Sequence, residues 1–77
     1  MFQNYVVEIR KNANGEYEHD VFWEYDEDAD EAMLKAESKY HEVLSRAAVS
    51  TWAEHSAILF TSEGFPKDHK CYKHGNI

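Results

Sequence analysis

The 77-residue chain has few of the features that build disulfide-linked or membrane-spanning proteins. Its single cysteine, Cys71, excludes a framework of internal disulfides. The longest uninterrupted apolar run is Ala57–Phe60, which is far short of the ~20 residues that a spanning helix needs. Nothing near Met1 resembles a charged region followed by the apolar core of a signal peptide. We therefore expect a cytoplasmic protein with no membrane partner.

Basic residues and glycine-rich motifs are also scarce. The chain has 8 lysines and arginines against 15 aspartates and glutamates, so its formal net charge is −7 at pH 7. Nucleic-acid binding relies on a basic surface, and we expect no duplex nucleic acid as a partner. Gly15, Gly64 and Gly75 are isolated, which excludes a glycine-rich phosphate loop. No strained-turn nucleophile motif occurs either, so we expect neither catalysis nor a cofactor.

The chain does contain enough apolar surface to fold. Apolar residues make up 43% of it and aromatic residues 14%, a composition that argues against disorder. Its length allows a single domain over residues 1–77. At this size one core supplies only about 3–5 kcal/mol, so association between copies is a ready source of further stability.

The first third of the chain predicts a β-hairpin. In Phe2–Arg10 and Tyr17–Tyr25, side chains alternate between two faces, as they do in strands. Between these segments, Asn14 and Gly15 form a pair that suits the positive φ angles of a tight turn. The two strands should therefore pair in an antiparallel manner.

A long helix and further strands follow. The acidic run Asp26–Glu31 favours a helix start, because carboxylates cap free N–H groups and oppose the helix dipole. Good helix formers continue to about Val49. Ala57–Ser62 predicts a third strand, and Lys70–His74 predicts a short fourth strand at the sheet edge. The order predicts an α+β fold: a small two-layer ββαβ(β) domain in which one long helix packs on one face of an antiparallel sheet.

The predicted helix has three sides. The apolar side should lie on the sheet and consists of Ala29, Met33, Ala36, Tyr40, Val43, Leu44 and Ala47. The opposite side, which we interpret as solvated surface, carries Lys35, Lys39, Glu42 and Arg46. A third stripe of small, weakly polar residues includes His41 and Ser45. It is either an unspecialised flank or a face that meets a second subunit or borders a pocket.

Both faces of the predicted sheet carry large apolar side chains, although one helix covers only one face. Tyr5, Val7 and Ile9 oppose Val6 on the first strand, and Trp23 opposes Phe22 on the second. An uncovered second face would expose a larger apolar patch than monomers usually tolerate. We therefore predict a homo-oligomer, most simply a symmetric dimer.

The C-terminal stretch differs in charge from the rest of the chain. Residues 66–77 carry Lys67, Lys70 and Lys73 against the single acid Asp68, with Tyr72 among them. Lysines neutralise phosphate and an aromatic ring stacks on a base, so this stretch suits a small anionic ligand. The alternative is a solvated edge strand that ends in a frayed terminus.

Two further features have alternative interpretations. Trp52 lies in the predicted loop 50–56, where it either covers the core or anchors a ligand. His69, Cys71 and His74 include metal-binding residue types, but structural zinc sites usually use two paired clusters and no second cluster is evident. We therefore predict no metal site and interpret these residues as a free thiol beside two surface histidines.

Three segments carry a resemblance to a known kind of protein. They are the helix end Lys39–Ala48, the stretch Ser56–Phe60 with its following Glu63-Gly64 turn, and the tail rich in lysine, tyrosine and histidine. In this pattern the chain resembles small accessory proteins of phages and prophages, among them the nucleotide-signal sponges called Sequestin and Lockin. Those families bind ADP-ribose-derived signals without chemistry, in pockets of compact assemblies.

The resemblance implies an oligomeric anti-defence protein that sequesters a nucleotide-derived immune signal in the host cytoplasm. The signal would be a cyclic nucleotide or an ADP-ribose derivative, held in a pocket between subunits. Six side chains would bind it through hydrogen bonds, phosphate neutralisation and ring stacking: His41, Ser45, Trp52, Lys70, Tyr72 and Lys73. The alternative from another class is an acidic inhibitor of a host protein that imitates nucleic acid through the strip Glu24–Glu31.

Overall fold

The computed structural model describes residues 1–75 as four strands and one helix. The elements are β1 (Phe2–Lys11), β2 (Tyr17–Asp26), α1 (Ala29–Ala48), β3 (Glu54–Phe60) and β4 (Pro66–Lys73). Neighbouring strands are antiparallel in the order β2-β1-β3-β4, and α1 packs on one face. The predicted α+β fold is confirmed, including the fourth strand; the last two positions of the predicted 1–77 domain lie outside the described residues. No helix within residues 1–75 is long and apolar enough to cross a membrane.

The last two strands differ most from the sequence prediction. β3 begins at Glu54 instead of Ala57, and β4 begins at Pro66 instead of Lys70. Residues 54–56 pair with β1 on one side and with β4 on the other, so their backbone groups are bonded although their side chains are polar. An apolar pattern could not reveal this part of the strand, and the predicted loop 50–56 shortens to 50–53.

The turn between β1 and β2 is built by Asn12 and Gly15. The side-chain oxygen of Asn12 accepts hydrogen bonds from the backbone N–H groups of Asn14 and Glu16, at 2.9 and 3.0 Å. Gly15 has a φ of 85°, which a residue without Cβ adopts at little cost. The predicted hairpin is confirmed, but the prediction of positive φ angles holds for Gly15 alone and is wrong for Asn14. The reason is that the connection spans residues 12–16 and is held by Asn12, so Asn14 does not need the left-handed conformation of a two-residue turn.

Asp28 caps the N-terminus of α1. Its carboxylate accepts hydrogen bonds from the backbone N–H groups of Asp30 and Glu31, at 2.9 and 3.0 Å. The buried residues of the helix are Ala32, Ala36, Tyr40, Val43 and Ala47. The prediction that Ala29 is buried on this side is wrong: the helical period places it in line with Ala36, but it is the first residue of α1 and is exposed at that end of the helix.

The core between helix and sheet is small. From the sheet, Val6, Ala57 and Leu59 pack against the buried side of α1. Four of the eight buried apolar residues of the described chain are alanines, namely Ala32, Ala36, Ala47 and Ala57. The helix therefore approaches the sheet closely but buries little apolar area.

The side of the sheet away from α1, here called the open face, carries the larger apolar side chains. These are Tyr5, Val7, Ile9, Val21, Trp23, Tyr25, Ile58 and Phe60. The Tyr5 ring stacks on Phe60 with centroids 4.7 Å apart, and its centroid lies 4.6 Å from that of Trp23. Trp23 is still 47% exposed and Val21 42% exposed. The helix covers the other face, so the open face of residues 1–75 meets solvent.

Leu59→Ala should lower the free energy of unfolding by about 2–5 kcal/mol, because it leaves a cavity beneath α1 where Leu59 is 2% exposed. The matched control is Leu34→Ala. Leu34 is 57% exposed on α1, and its loss should change the free energy by less than about 0.5 kcal/mol. Urea denaturation followed by circular dichroism measures both variants, and equal losses would contradict this placement of the core.

Candidate functional site

A buried carboxylate lies where the central strand β1 meets the end of α1. The Glu8 side chain is only 2% exposed and lies between the apolar residues Val7 and Ile9 of the strand. Arg46, in the last turn of α1, binds it twice: Nε donates to Oε2 at 2.9 Å and Nη2 donates to Oε1 at 2.8 Å. Such bidentate pairs fix geometry as well as adding energy, so Arg46 ties the helix end to the sheet.

Two more side chains complete what we call the Glu8 cluster (Glu8, Arg10, Arg46 and His55). Arg10 Nη1 lies 3.0 Å from Glu8 Oε1, and His55 Nε2 lies 2.6 Å from Glu8 Oε2. Burial acts to raise the pKa of Glu8. The hydrogen bonds from Arg46 and His55 and the charges of both arginines together outweigh it, and the pKa falls to about 2. Glu8 is therefore an anion at neutral pH.

Arg10 links this cluster to β2 and to the loop before β3. Its Nη2 lies 2.6 Å from Asp20 Oδ2, and its Nε lies 3.5 Å from Glu18 Oε1. On another side, its guanidinium carbon lies 5.8 Å from the centre of the Trp52 ring. Trp52 is half-buried, so the structure places this predicted ligand contact against Arg10 at the border of the Glu8 cluster.

His55 is held by Glu8 but is closed to substrates. A carboxylate that orients an imidazole is the arrangement of a general base, whose other ring nitrogen must then reach a reacting group. His55 is 4% exposed, and its Nδ1 is sealed from solvent with no hydrogen-bond partner in residues 1–75. The Glu8–His55 hydrogen bond therefore joins β1 to β3 in the interior of this protomer.

A second group of functional side chains lies on the helix side of β4. Lys70, Tyr72 and His74, here called the β4 ladder, follow one another at every second residue and share that side. Lys70 Nζ is 5.1 Å from the centre of the Tyr72 ring, and the Tyr72 and His74 rings are parallel with centroids 6.1 Å apart. His74 Nε2 donates to the Ala47 carbonyl oxygen at 2.7 Å, which anchors the ladder to the end of α1.

Tyr40 connects the β4 ladder with α1. Its pKa is raised by burial and further by the nearby Asp68 carboxylate and by Tyr72, so the hydroxyl stays protonated and lies close to β4. The ring of His41 meets that of Tyr40 edge-on, with centroids 5.6 Å apart. Tyr40 is therefore a buried contact between α1 and the β4 ladder.

The predicted site residues on α1 lie on the outer surface of the helix. Glu37 pairs with Lys67 of β4 at 3.3 Å, and the helical period turns His41, and Ser45 still more, further away from the sheet. His41 and Ser45 are exposed, and Ser45 Oγ donates to the His41 carbonyl oxygen at 3.0 Å. They therefore do not line the groove between α1 and β4.

Lys73 does not share this groove. Strand alternation places it on the open face, opposite Glu54 in the register of β3 and β4. There it borders a pocket of about 430 Å³, which Lys11 and Glu54 also line. Of the six predicted site residues, the structure thus brings only Lys70 and Tyr72 together. His41 and Ser45 lie on the outer surface of α1, and Lys73 and Trp52 lie elsewhere in the protomer.

The sequence prediction missed the Glu8 cluster. It placed Arg46 on the solvated side of α1, whereas the structure places its guanidinium on Glu8. The physical reason is that a long arginine side chain extends around the flank of a helix to reach the sheet. The one available signal was a lone glutamate between apolar residues of β1, which became informative only once the position of the helix was known.

Metal ligation has no support in the geometry of the described chain. Within residues 1–75, no group of three or more histidine, cysteine, aspartate or glutamate side chains is arranged to hold a metal ion. His69 and Cys71 fall on the open face by alternation, whereas His74 is turned to the Ala47 carbonyl oxygen. The three residue types therefore do not converge.

Comparison with family models, curated proteins and solved structures gives no match to this chain. The geometry of the Glu8 cluster and of the β4 ladder is therefore the basis for assigning a function.

Glu8→Gln should lower the free energy of unfolding at pH 7 by about 3 kcal/mol, the lower end for breaking a buried ion pair, since Arg46 remains 43% exposed. The control is Glu63→Gln, an exposed carboxylate in the turn before β4, which should cost less than about 0.5 kcal/mol. Chemical denaturation measures both, and undiminished stability of E8Q would show that the cluster contributes nothing.

Glu8 also predicts a pH dependence of stability. Its pKa in the folded protein is about 2, below the ordinary value of 4.5, so its contribution is complete above pH 4.5 and is lost as the pH falls through that window. The difference in unfolding free energy between wild type and E8Q should therefore shrink as the pH is lowered from 4.5 towards 2. A difference that stays constant over this range would contradict the lowered pKa.

Proposed function

We propose that the chain is a non-catalytic binding protein that sequesters a small nucleotide-derived anion, such as a cyclic nucleotide or an ADP-ribose derivative. In this proposal it acts as a homo-oligomer in the cytoplasm of a phage-infected cell, where it removes an immune signal. The proposed class of ligand rests on the β4 ladder, in which the Lys70 ammonium lies next to the parallel rings of Tyr72 and His74.

Lys70 and Tyr72 offer the two contacts that a nucleotide requires. The Lys70 ammonium is a point charge for a phosphate oxygen. In the protein alone it lies over the Tyr72 ring, so a base that stacks on this ring would displace the ammonium towards the phosphate. The two groups are 5.1 Å apart, close enough for one nucleotide to meet both. Lys70 is exposed and Tyr72 is half-buried, so a ligand reaches them without unfolding the strand.

The local charge of β4 supports an anionic ligand of small size. Its lysines, Lys67, Lys70 and Lys73, outnumber its single acid Asp68, within a chain of net charge −7. A small anion responds to the nearest charges, whereas a long nucleic acid would meet the field of the whole acidic molecule. The charge distribution therefore favours a mononucleotide or dinucleotide over a polymer.

The residues around the ladder suit a site that binds a ligand without changing it. His74 already donates a hydrogen bond to Ala47, and the raised pKa of Tyr40 keeps its hydroxyl a neutral hydrogen-bond donor. His41 and Ser45 are exposed on the outer surface of α1 and lie outside this proposed site.

Lys70→Ala should weaken the binding of ADP-ribose or a cyclic dinucleotide by at least about tenfold, because a charge-assisted hydrogen bond contributes about 1.5–3 kcal/mol. Lys73→Ala is the matched control, since it removes the same charge from the same strand but from the open face. It should leave the affinity unchanged. Isothermal titration calorimetry with a panel of these nucleotides measures both variants, and equal affinity of K70A and wild type would remove the ladder from the site.

Native mass spectrometry tests the absence of chemistry. The ligand should bind in a fixed ratio to the oligomer and be released unaltered on denaturation. A chemically converted ligand would contradict the non-catalytic assignment, and no adduct with any nucleotide of the panel would overturn the proposed function.

An acidic inhibitor of a basic host protein is the second candidate, favoured by the exposed carboxylates at the start of α1. Glu27, Asp28, Asp30 and Glu31 are all exposed, and they lie near the acidic edge formed by β2. Salt separates the two candidates, because screening weakens a complex between charged surfaces steeply but affects a nucleotide held in a groove less.

A further inference from the structure

We propose that the open face is the surface through which two copies of this chain pack, sheet against sheet. The inference rests on the self-association that the proposed function includes, but not on its ligand. The open face and the β4 ladder lie on opposite sides of the sheet, so the interface and the ligand site can be tested separately.

The size of the apolar side chains is the first argument. On the helix side, half of the buried apolar residues of the described chain are alanines, whereas the open face carries Tyr5, Trp23 and Phe60. These three rings already pack on one another at 4.6 and 4.7 Å, so they form a rigid cluster that loses little side-chain freedom on association. Soluble monomers rarely leave such a contiguous patch in water.

The distribution of charge identifies the occupant as a second copy. Each copy carries a net charge of −7, so two copies repel unless the surfaces that meet are nearly free of acid. All four acids of β2 occupy the positions that alternate to the helix side: Glu18, Asp20, Glu24 and Asp26. Arg10 and Lys35 neutralise three of them there, with N···O distances of 2.6–3.5 Å.

The open face itself is almost free of acid. Among its strand positions, the one carboxylate is that of Glu54, and Lys11 Nζ lies 3.4 Å from its Oε2. The open face has no negative potential to attract a basic partner, which would bind the acidic helix side instead. The open face also carries Lys11 and Lys73, so it has no excess of negative charge, which is what a surface needs when its partner has the same net charge of −7.

The area is adequate for a dimer. Four strands about 4.8 Å apart, with about eight residues each at about 3.4 Å, give a face of roughly 500 Å² in projection. Because the side chains make this face uneven, its accessible area is larger than its projection and approaches the roughly 800 Å² that each partner buries in a standard interface. The face is thus large enough to be covered by one copy of itself.

Packing of this kind yields a four-layer dimer with the helices outside. The two sheets would lie about 10 Å apart, with Tyr5, Trp23 and Phe60 in a second core that neither copy can form alone. Cys71 belongs to the same face by alternation and is half-buried, so the partner sheet would shield it further. The Glu8 cluster and the β4 ladder stay on the outer layers.

Sedimentation equilibrium of the full chain over a concentration series tests this interface. Wild type should approach twice 9.0 kDa, and Val21→Glu should raise the dimer dissociation constant by at least about 100-fold, because it buries two like charges at the contact. Val21 is 42% exposed on the edge strand β2, so the substitution should leave the protomer folded. The matched control is Leu34→Glu, which adds the same charge to an exposed position of α1 and should leave the mass of the dimer unchanged.

Circular dichroism confirms that each variant is folded, and labelling of Cys71 in the wild type gives a second measurement that needs no variant. Its reaction with a thiol reagent should slow as the protein concentration rises. A wild-type mass of 9.0 kDa at every concentration, a folded V21E variant that still dimerises, or a Cys71 rate independent of concentration would each overturn the interface. A dimer that binds no nucleotide would contradict the proposed ligand but would not contradict this interface.

Discussion

The rest of the structure depends on one buried anion in the central strand. The carboxylate of Glu8 is tolerated in the interior only because cations and hydrogen bonds surround it, and this requirement fixes three other side chains. Arg46 is drawn from the last turn of α1, Arg10 is turned outward along β1, and His55 is drawn inward from β3. With a core rich in alanine, apolar burial alone would hold the end of α1 weakly, so the ion pair sets how the helix lies on the sheet. The carbonyl oxygen of Ala47, which accepts the hydrogen bond from His74, is positioned by the same contact.

The two sides of the sheet therefore differ in the kind of side chain that they carry. The helix side collects the charged groups: the Glu8 cluster, the acids of β2 with their basic partners, and the β4 ladder. The open face collects the large apolar groups and excludes acid apart from Glu54 with its lysine. We propose that a protein of net charge −7 with this separation associates with itself through the open face and holds a small anion on the helix side. A mixed distribution would place repulsive carboxylates in the interface and leave fewer free lysines for a ligand.

Much of the fold could be predicted from the sequence, because its signals are local. The alternation in β1 and β2, the turn at Gly15 and the acidic run before α1 each specify an element within a few residues. All three elements are present, with a positive φ at Gly15 but not at Asn14. The start of β3 was missed because Glu54, like the two residues after it, is polar and becomes a strand only through pairing on both sides. The extent of β4 was missed for the same reason. Backbone pairing, not side-chain pattern, defines these segments.

The sequence by itself determined the class of fold, the two apolar faces of the sheet and the basic character of the C-terminal stretch. These properties follow from composition, alternation and helical period, which the chain carries whatever its tertiary contacts. Only the tertiary structure decided that Glu8, Arg46 and His55 form one cluster, since they are 38 and 47 residues apart along the chain. It also decided which face each lysine of β4 joins, with Lys70 on the helix side and Lys73 beside Glu54 on the open face. Charges act through space, so which of them cooperate depends on contacts that neighbouring residues in the sequence do not specify.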